Sequence, residues 1–117
     1  MGLYQEIILL QQWHNGKYVI ENVIPYYDPL IKPNTILHRH SIWCNFYIRP
    51  RKYPKMQTCK ARAEREFLQK ELGFNLDKYT GIDKRLLLRN CVLPQMGKDI
   101  FDDMLVSELH DEQEVLF

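Results

Sequence analysis

The spacing of apolar residues predicts three main helices along the chain. Residues 3–13 carry apolar side chains at helical spacing and are expected to form a helix with one apolar stripe. Residues 58–72 repeat this pattern, and Gly73 provides a C-terminal stop. Residues 98–109 predict a last helix that is amphipathic and has an acidic outer face. The expected apolar positions of these helices are Leu3, Ile7, Leu10 and Trp13; Ala61, Leu68 and Leu72; and Ile100, Phe101, Met104, Leu105 and Leu109.

Two segments between the first and second helices have the residue pattern of β-strands. Residues 17–24 are rich in β-branched residues and follow an Asn15-Gly16 turn. The prolines after this strand force an irregular loop through Asn34. Residues 35–48 predict a second extended segment whose alternate apolar residues share one face. These residues are Ile42, Cys44, Phe46 and Ile48.

The region before the last helix is expected to be short and broken. Asp83 is a suitable N-cap for a short helix through Leu88, and Pro94 and Gly97 are then expected to break the chain. Together the elements predict a small α/β or α+β fold. The length of 117 residues, of which 45% are hydrophobic, suits a single domain with a modest core.

The cysteines and the apolar runs indicate neither secretion nor membrane insertion. Three widely spaced cysteines, Cys44, Cys59 and Cys91, predict reduced thiols rather than a disulfide framework or a zinc cage. No apolar run approaches the roughly 20 residues that cross a bilayer. The start Met1-Gly2-Leu3 lacks the basic residues of a signal peptide. We therefore expect a soluble, cytoplasmic protein with no membrane partner.

The net charge of +1 hides two segments of opposite charge. Residues 49–65 carry seven basic residues against one acid, Glu64, and Tyr53 adds a ring for stacking. This composition suits contacts with DNA phosphates, although a solvated surface of balanced charge is the plain alternative. Residues 99–114 reverse the balance, with seven acids and one titratable base, His110. The candidate DNA-binding residues are Arg49, Arg51, Lys52 and Lys55.

The order helix, turn, strand and then Glu21-Asn22-Val23 resembles the DNA cytosine-5 methyltransferases, in the variant seen in phage and prophage genomes. In that family a strand presents Glu-Asn-Val beside the flipped target base. Two further blocks are similar to the family and follow in the same order. They are "PYYDPLIKP" (25–33) with "RHSIWCNFYI" (39–48), and "LLLRNCVLPQMGKDIF" (86–101). Three ordered blocks are much harder to match by chance than one tripeptide.

The resemblance implies roles for several residues. Glu21 would meet the ring nitrogen and amine of a flipped cytosine, which offsets part of the few kcal/mol that flipping costs, and Asn22 would hold the loop around it. Arg39 matches one of the arginines that grip the target phosphate, although the usual Arg-x-Arg pair is incomplete here. Asn90 and Val92 match the Asn-x-Val that helps to close the methyl-donor pocket. For Glu21, the plain alternative is a surface carboxylate at a strand end.

The resemblance also implies a partial methyltransferase-like fold, a short sheet with flanking helices that lacks the cofactor-binding N-terminal half. Residues 1–48 would form a catalytic-domain-like segment, 49–80 a short basic target-recognition-like segment, and 81–117 a C-terminal helical segment. The sequence contains no Gly-x-Gly to seat S-adenosylmethionine, and none of its cysteines follows a proline as the family's nucleophile does. We therefore expect no methylation by this chain alone, and S-adenosylmethionine only with a partner half.

His38-x-His40 also fits a metal site, because alternate residues of a strand share a face. Beyond Cys44, however, the surrounding sequence offers no Asp, Glu or Cys at ligand spacing, and a stable zinc site needs more ligands than these. We therefore expect no metal here, and the expectation for the two histidines is contact with a phosphate or plain exposure to solvent.

Three functions fit such a chain. It is expected to be a fragment or split subunit of a methyltransferase that supplies target-base and DNA contacts, a repurposed phage protein that inhibits a host defence nuclease (anti-CRISPR or anti-restriction type), or a DNA-binding accessory protein. The edge next to residues 17–24 would expose unpaired backbone groups, so a complementary methyltransferase subunit or self-association is expected to cover it. An inhibitor would place its acidic last helix in a basic groove of a host defence protein.

Overall fold

The fold is mixed α/β, as the sequence predicts. This computed structural model describes residues 2–55 and 61–116, so Cys59 and the predicted helix start at 58–60 lie outside the described residues. The described elements are α1 (Gly2–Trp13), β1 (Val19–Val23), β2 (Thr35–Leu37), β3 (His40–Cys44), α2 (Ala61–Leu72), α3 (Lys84–Asn90) and α4 (Pro94–Leu116). Of the helices in those two ranges, none combines the length and the apolar character needed to cross a bilayer.

The three strands form one antiparallel sheet in the order β1-β3-β2. Val19 lies opposite Cys44 and Val23 lies opposite His40, while Leu37 of β2 lies opposite His40 on the other side. Every residue of β3 is buried because this strand is central. The strand predicted at 17–24 is confirmed at Val19–Val23, and its second edge is unpaired among the described strands.

The prediction of one extended segment over residues 35–48 is wrong. The chain reverses direction at His38 and Arg39, so β2 and β3 form a hairpin with a two-residue connection, and β3 ends at Cys44. His38 has a φ of 54°, in the left-handed region that residues other than glycine rarely adopt. Its ring is hydrogen-bonded to the carbonyl oxygen of Pro54 at 3.1 Å, which ties the turn to the following loop.

One hydrophobic cluster joins the sheet to α2, α3 and α4. The predicted apolar face of residues 42–48 lies inside this cluster, although Phe46 and Ile48 follow β3 rather than belong to it. Leu37 of β2 contributes from the neighbouring strand. The remaining buried members are Leu68, Leu72, Leu76, Leu88, Leu93, Met96 and Ile100.

The apolar stripe predicted for α1 is only partly buried. Ile7 is fully buried, but Leu3 and Leu10 are half-buried and Trp13 is 79% exposed. A hydrogen bond from the Leu30 backbone N–H to the Tyr4 hydroxyl, 3.2 Å long, ties α1 to the loop after β1. The outer part of this helix therefore presents apolar surface to solvent.

Both predicted breaks before the last helix are wrong. Pro94 is the first residue of α4, where proline is favoured because its missing N–H would have no intrahelical acceptor. Gly97 lies inside the helix, and its N–H donates to the carbonyl oxygen of Leu93 at 3.0 Å. α4 therefore begins four residues earlier than predicted and continues to Leu116.

The faces of α4 also differ from the prediction. Ile100 is buried as expected, but Phe101 and Leu109, assigned to the same apolar stripe, are more than half exposed. Asp103, one of the seven acids of residues 99–114, is buried, with 3% of its surface exposed. The contacts of Asp103 with Arg49 and Arg51, from the loop after β3, explain this burial.

The predictions for the start of α3 and the end of α2 agree more closely with the structure. Asp83 caps α3, since its side-chain oxygen accepts a hydrogen bond from the Leu86 N–H at 3.0 Å. α3 continues to Asn90, two residues beyond the predicted end. Gly73 follows α2 with a φ of 79°, and its N–H donates to the carbonyl oxygen of Gln69.

Candidate functional site

Glu21 lies in the edge strand β1 with its side chain 40% exposed. Its Oε2 is 2.5 Å from Nδ1 of His40, whose side chain is almost fully buried in β3. Val23 lies opposite His40 and Glu21 lies opposite Ile42, so Glu21 and His40 are diagonal neighbours on one face of the sheet. The contact holds the carboxylate in one orientation while part of it stays open to solvent.

The rest of Glu21-Asn22-Val23 is tied to the hairpin turn. Asn22 is exposed and lies opposite Ser41, and Val23 is half-buried opposite His40. The N–H of the next residue, Ile24, donates to the carbonyl oxygen of Arg39 at 2.9 Å. The tripeptide therefore ends beside the turn that carries Arg39.

The side chain of Arg39 leaves this turn and meets a buried carboxylate of α2. Its Nη2 is 3.3 Å from Oε1 of Glu64, and the Arg39 side chain is about one third exposed. Glu64 also accepts hydrogen bonds from Arg85 Nε at 2.5 Å and from Arg89 Nε and Nη2 at 2.6 and 2.9 Å. We call Glu64 and these three arginines the Glu64 cluster.

The Glu64 cluster is strongly ionised. Hydrogen bonds from Arg89 and Arg85 lower the pKa of the Glu64 carboxyl to about 2, against the opposing effect of its burial. The same contact raises the pKa of Arg89. Three guanidinium groups against one carboxylate leave the cluster with a surplus of positive charge.

Asn90 and Val92 lie at the end of α3 and in the segment after it. Asn90 is exposed and follows Arg89 directly, whereas Val92 is half-buried against the hydrophobic cluster. Through Arg39 and Arg89, one carboxylate therefore connects the block that follows Glu21 with the block that contains Asn90. Among the described residues, no hydrogen bond joins Asn90 or Val92 to Glu21 directly.

Two of the candidate DNA-binding residues are engaged by a second buried carboxylate. Asp103 accepts bonds from the Arg49 N–H at 3.0 Å, from Arg49 Nε at 2.8 Å, and from Arg51 Nη1 and Nη2 at 2.7 Å each. These contacts lower the pKa of Asp103 to about 2, with Arg51 as the main cause. Lys52 and Lys55 are exposed. DNA contact by the four residues stays a prediction, with Arg49 and Arg51 already oriented toward α4.

Tyr53 adds a third contact between the basic segment and α4. Its hydroxyl donates to Oδ2 of Asp99 at 2.8 Å, and burial together with this bond raises the pKa of Tyr53 to about 12. Tyr53 therefore remains a neutral donor at physiological pH. The Tyr53 ring is partly buried against the hydrophobic cluster, and its stacking on bases stays a prediction.

The residues that carry most of these polar contacts, Glu64, Asp103 and His40, were absent from the predicted DNA and catalytic sites. Glu64 precedes Leu68 by four residues and Leu72 by eight, so helical spacing alone would place it on the buried face. Asp103 follows the buried Ile100 by three residues, a spacing that also places it on the buried face of its helix. For His40 the sequence suggested a metal ligand, a phosphate contact or plain exposure, whereas the side chain is almost fully buried beside Glu21.

The two histidines considered for a metal are not arranged as alternate residues of one strand. His38 lies in the hairpin turn and contacts Pro54, whereas His40 lies in β3 and contacts Glu21. Within residues 2–55 and 61–116, no group of three or more His, Cys, Asp or Glu side chains is placed to hold a metal ion.

Comparisons with known proteins identify no relative: no family model, no curated protein and no solved structure matches this chain. The residues and their geometry therefore carry the functional inference.

Proposed function

We propose that this chain is a methyltransferase-like segment that contributes target-base and DNA contacts to a DNA cytosine-5 methyltransferase and has no catalytic activity alone. The observation that carries the proposal is the Glu21–His40 pair, a partly exposed carboxylate held by a buried imidazole at 2.5 Å. A carboxyl group fixed in this way suits the donor and acceptor edge of a base taken out of the duplex.

The sequence order supports the same proposal. Glu21-Asn22-Val23 ends beside Arg39, and Arg39 shares a carboxylate with Arg89, the residue before Asn90. We infer that Glu21 holds the flipped cytosine, that Asn22 supports the loop around it, and that Arg39 lies toward a phosphate of the target strand. Asn90 and Val92 would border the methyl-donor pocket.

Completion of the enzyme requires groups from outside these 117 residues. S-adenosylmethionine supplies the methyl group in this chemistry, and a cysteine thiolate supplies the nucleophile. We propose that a complementary subunit brings both the glycine-rich loop and this cysteine. The unpaired edge of β1 offers a place where such a subunit can extend the sheet.

A binding experiment with the chain as it exists tests the role of Glu21. We expect tighter binding to a duplex with a mismatched cytosine than to a fully paired duplex, because a mismatched base costs less to flip. The preference should be roughly tenfold, equivalent to about 1.4 kcal/mol. Glu21→Gln should remove this preference. Glu6→Gln, the same change at an exposed position of α1, is the matched control and should keep it.

Reconstitution with a complementary subunit tests the enzymatic part. The complex should transfer a labelled methyl group to DNA, and Glu21→Gln should lower the rate by about a hundredfold or more, within the range typical for a lost acid–base group. Equal rates for the Glu21→Gln and wild-type complexes would remove Glu21 from the site.

A non-catalytic inhibitor of a host defence nuclease is the second candidate. The observation in its favour is the C-terminal half of α4, which is exposed and carries several acids near exposed Leu109. Asp103 does not belong to this exposed acidic surface, because it is buried against Arg49 and Arg51. Charge reversal at Glu108, Glu112 and Glu114 should therefore abolish such a complex, while Glu21→Gln should leave it intact.

A further inference from the structure

A basic cleft opens beside the Glu64 cluster, between the start of α2 and the loop that leads into α3. Its volume is about 690 Å³, within the range of ordinary ligand sites of roughly 300 to 1,000 Å³. Arg62 and Arg65 line one wall, and Lys84 and Arg85 line the other. We propose that this cleft binds a phosphate group.

The charge balance of the cleft is the first argument. Four cations line it against one acid, Asp83, which gives a formal charge of +3. The Asp83 carboxylate is already used, because its Oδ1 accepts the capping hydrogen bond from the Leu86 N–H. The lining therefore has an excess of hydrogen-bond donors that an anion would satisfy.

Arg65 supplies the second argument. Its Nε is buried and has no hydrogen-bond partner among the described residues. A buried N–H without an acceptor is costly, so such groups point to a partner that a ligand can provide. An oxygen of a phosphate seated in the cleft would serve as that acceptor.

Two of the four cations, Arg85 and Lys84, are oriented before any ligand binds. Glu64 accepts from Arg85 Nε at 2.5 Å, and within residues 2–55 and 61–116 the guanidinium of Arg85 forms no further hydrogen bond. Lys84 is steadied by a 3.4 Å contact with the Asp77 carbonyl oxygen. The Arg62–Glu66 pair is exposed and worth little, so Arg62 is free to turn toward an anion. The pre-orientation of Arg85 and Lys84 lowers the entropy lost on binding.

Two sources of phosphate fit this chemistry, namely a nucleic-acid backbone and a free phosphate or nucleotide. Tyr79 lines the cleft with its ring about half exposed, which suits either a nucleotide base or a base of a bound strand. The cleft does not include Glu21, so this proposal does not depend on the base contact proposed above.

Titration of the ¹⁵N-labelled chain tests the proposal and separates the sources. Inorganic phosphate, adenosine triphosphate and a short DNA duplex are added in turn, against sodium chloride at matched ionic strength. We expect the Nε–Hε signals of Arg65 and Arg85 to shift. Shifts with phosphate or the nucleotide indicate a small anion, and shifts with the duplex alone indicate a backbone phosphate.

Variants test whether the cleft itself is responsible. The double variant Arg65→Gln/Lys84→Gln should weaken binding by about tenfold or more, as expected for two lost charge-assisted hydrogen bonds. Lys70→Gln removes a charge from the exposed far end of α2 and should bind as wild type does. The single variants Arg65→Gln and Arg65→Lys are compared with each other. Arg65→Lys keeps the charge and should therefore bind more tightly than Arg65→Gln. Amide spectra establish that each variant is folded.

Two results would overturn the proposal. One is that none of the three ligands shifts the cleft signals beyond the chloride control. The other is that a folded Arg65→Gln/Lys84→Gln variant binds with wild-type affinity, which would place the anion elsewhere on the surface.

Discussion

Glu64 and Asp103 are two buried carboxylates that link segments far apart in the chain. Each is about 3% exposed, and each is surrounded by arginine side chains that keep it ionised. A buried charge that loses its partner is strongly destabilising, by about 3 to 5 kcal/mol. The arginine side chains are far more exposed than the acids, so water can solvate an arginine that loses its partner. A carboxylate that loses its arginines would remain buried as an unpaired charge.

These residues predict a loss of stability in acid. The folded-state pKa is about 2 for both groups, below the ordinary values of 4.5 for Glu64 and 3.8 for Asp103. Because the folded pKa is depressed, the stabilisation is present above the unfolded pKa and is lost as the pH falls toward 2. Each group should contribute roughly 2 to 4 kcal/mol near neutral pH, with the larger share from Glu64.

Urea unfolding between pH 2 and pH 7 measures this effect. Glu64→Gln should flatten the profile below about pH 5, since its side chain no longer titrates. Glu66→Gln, an exposed acid on the same helix, is the matched control and should keep the wild-type profile. Parallel profiles for wild type and Glu64→Gln would contradict the assigned role of Glu64.

The helices differ from their predicted forms mainly at proline and glycine. α4 begins at Pro94 and passes through Gly97 without a break, while α2 ends before Gly73, whose φ is 79°. The same residue type therefore has two different roles. A glycine with a positive φ is required where it stands, whereas a glycine inside a helix weakens it.

The two glycines should respond in opposite ways to substitution by alanine. At Gly97 the nearest non-local atom to an added Cβ is Val92 Cγ1 at 4.0 Å, so the methyl group fits and Gly97→Ala should stabilise the protein by about 0.5 to 1 kcal/mol. Gly73→Ala should destabilise it by about 1 kcal/mol, because alanine is strained at that φ. Thermal unfolding of both variants measures this, and a loss of stability in Gly97→Ala would contradict the helix register.

The surface of the described residues combines an unpaired strand edge with exposed apolar side chains. The sheet has three strands, and β1 has one unpaired edge among the described strands. Trp13, Tyr26 and Leu30 are each at least 79% exposed. Exposed apolar side chains together with an open strand edge are typical of a surface that another chain covers.

The stability of the isolated chain should therefore depend on its concentration. If a second copy covers the β1 edge when no other subunit is present, the urea midpoint rises with protein concentration by mass action. Val19→Lys, at a half-exposed position of β1, should abolish this dependence because an edge lysine opposes strand pairing. Val115→Lys, near the end of α4, is the control. A midpoint independent of concentration in wild type would exclude self-association through this edge.

The local pattern of the sequence was sufficient for several features of the fold. The first strand, the Asp83 cap, the stop at Gly73 and the buried face from Ile42 to Ile48 all depend on neighbouring residues, and all were predicted. Pro94 was misread because proline both breaks helices and begins them, and sequence spacing does not distinguish the two. The hairpin at His38 was missed because its positive φ is not carried by a glycine.

Only the tertiary structure decided which charges are paired. Glu64 meets Arg39, Arg85 and Arg89, and Asp103 meets Arg49 and Arg51, across separations of 21 to 54 residues. A charged side chain carries no local signal of its partner, since long-range pairing follows from how the helices pack on the sheet. The sequence by itself thus determined the first strand with Glu21 in it, the cap of α3 and the end of α2. Packing determined the hairpin, the contact of His40 with Glu21, and the pairing of the arginines with two buried acids.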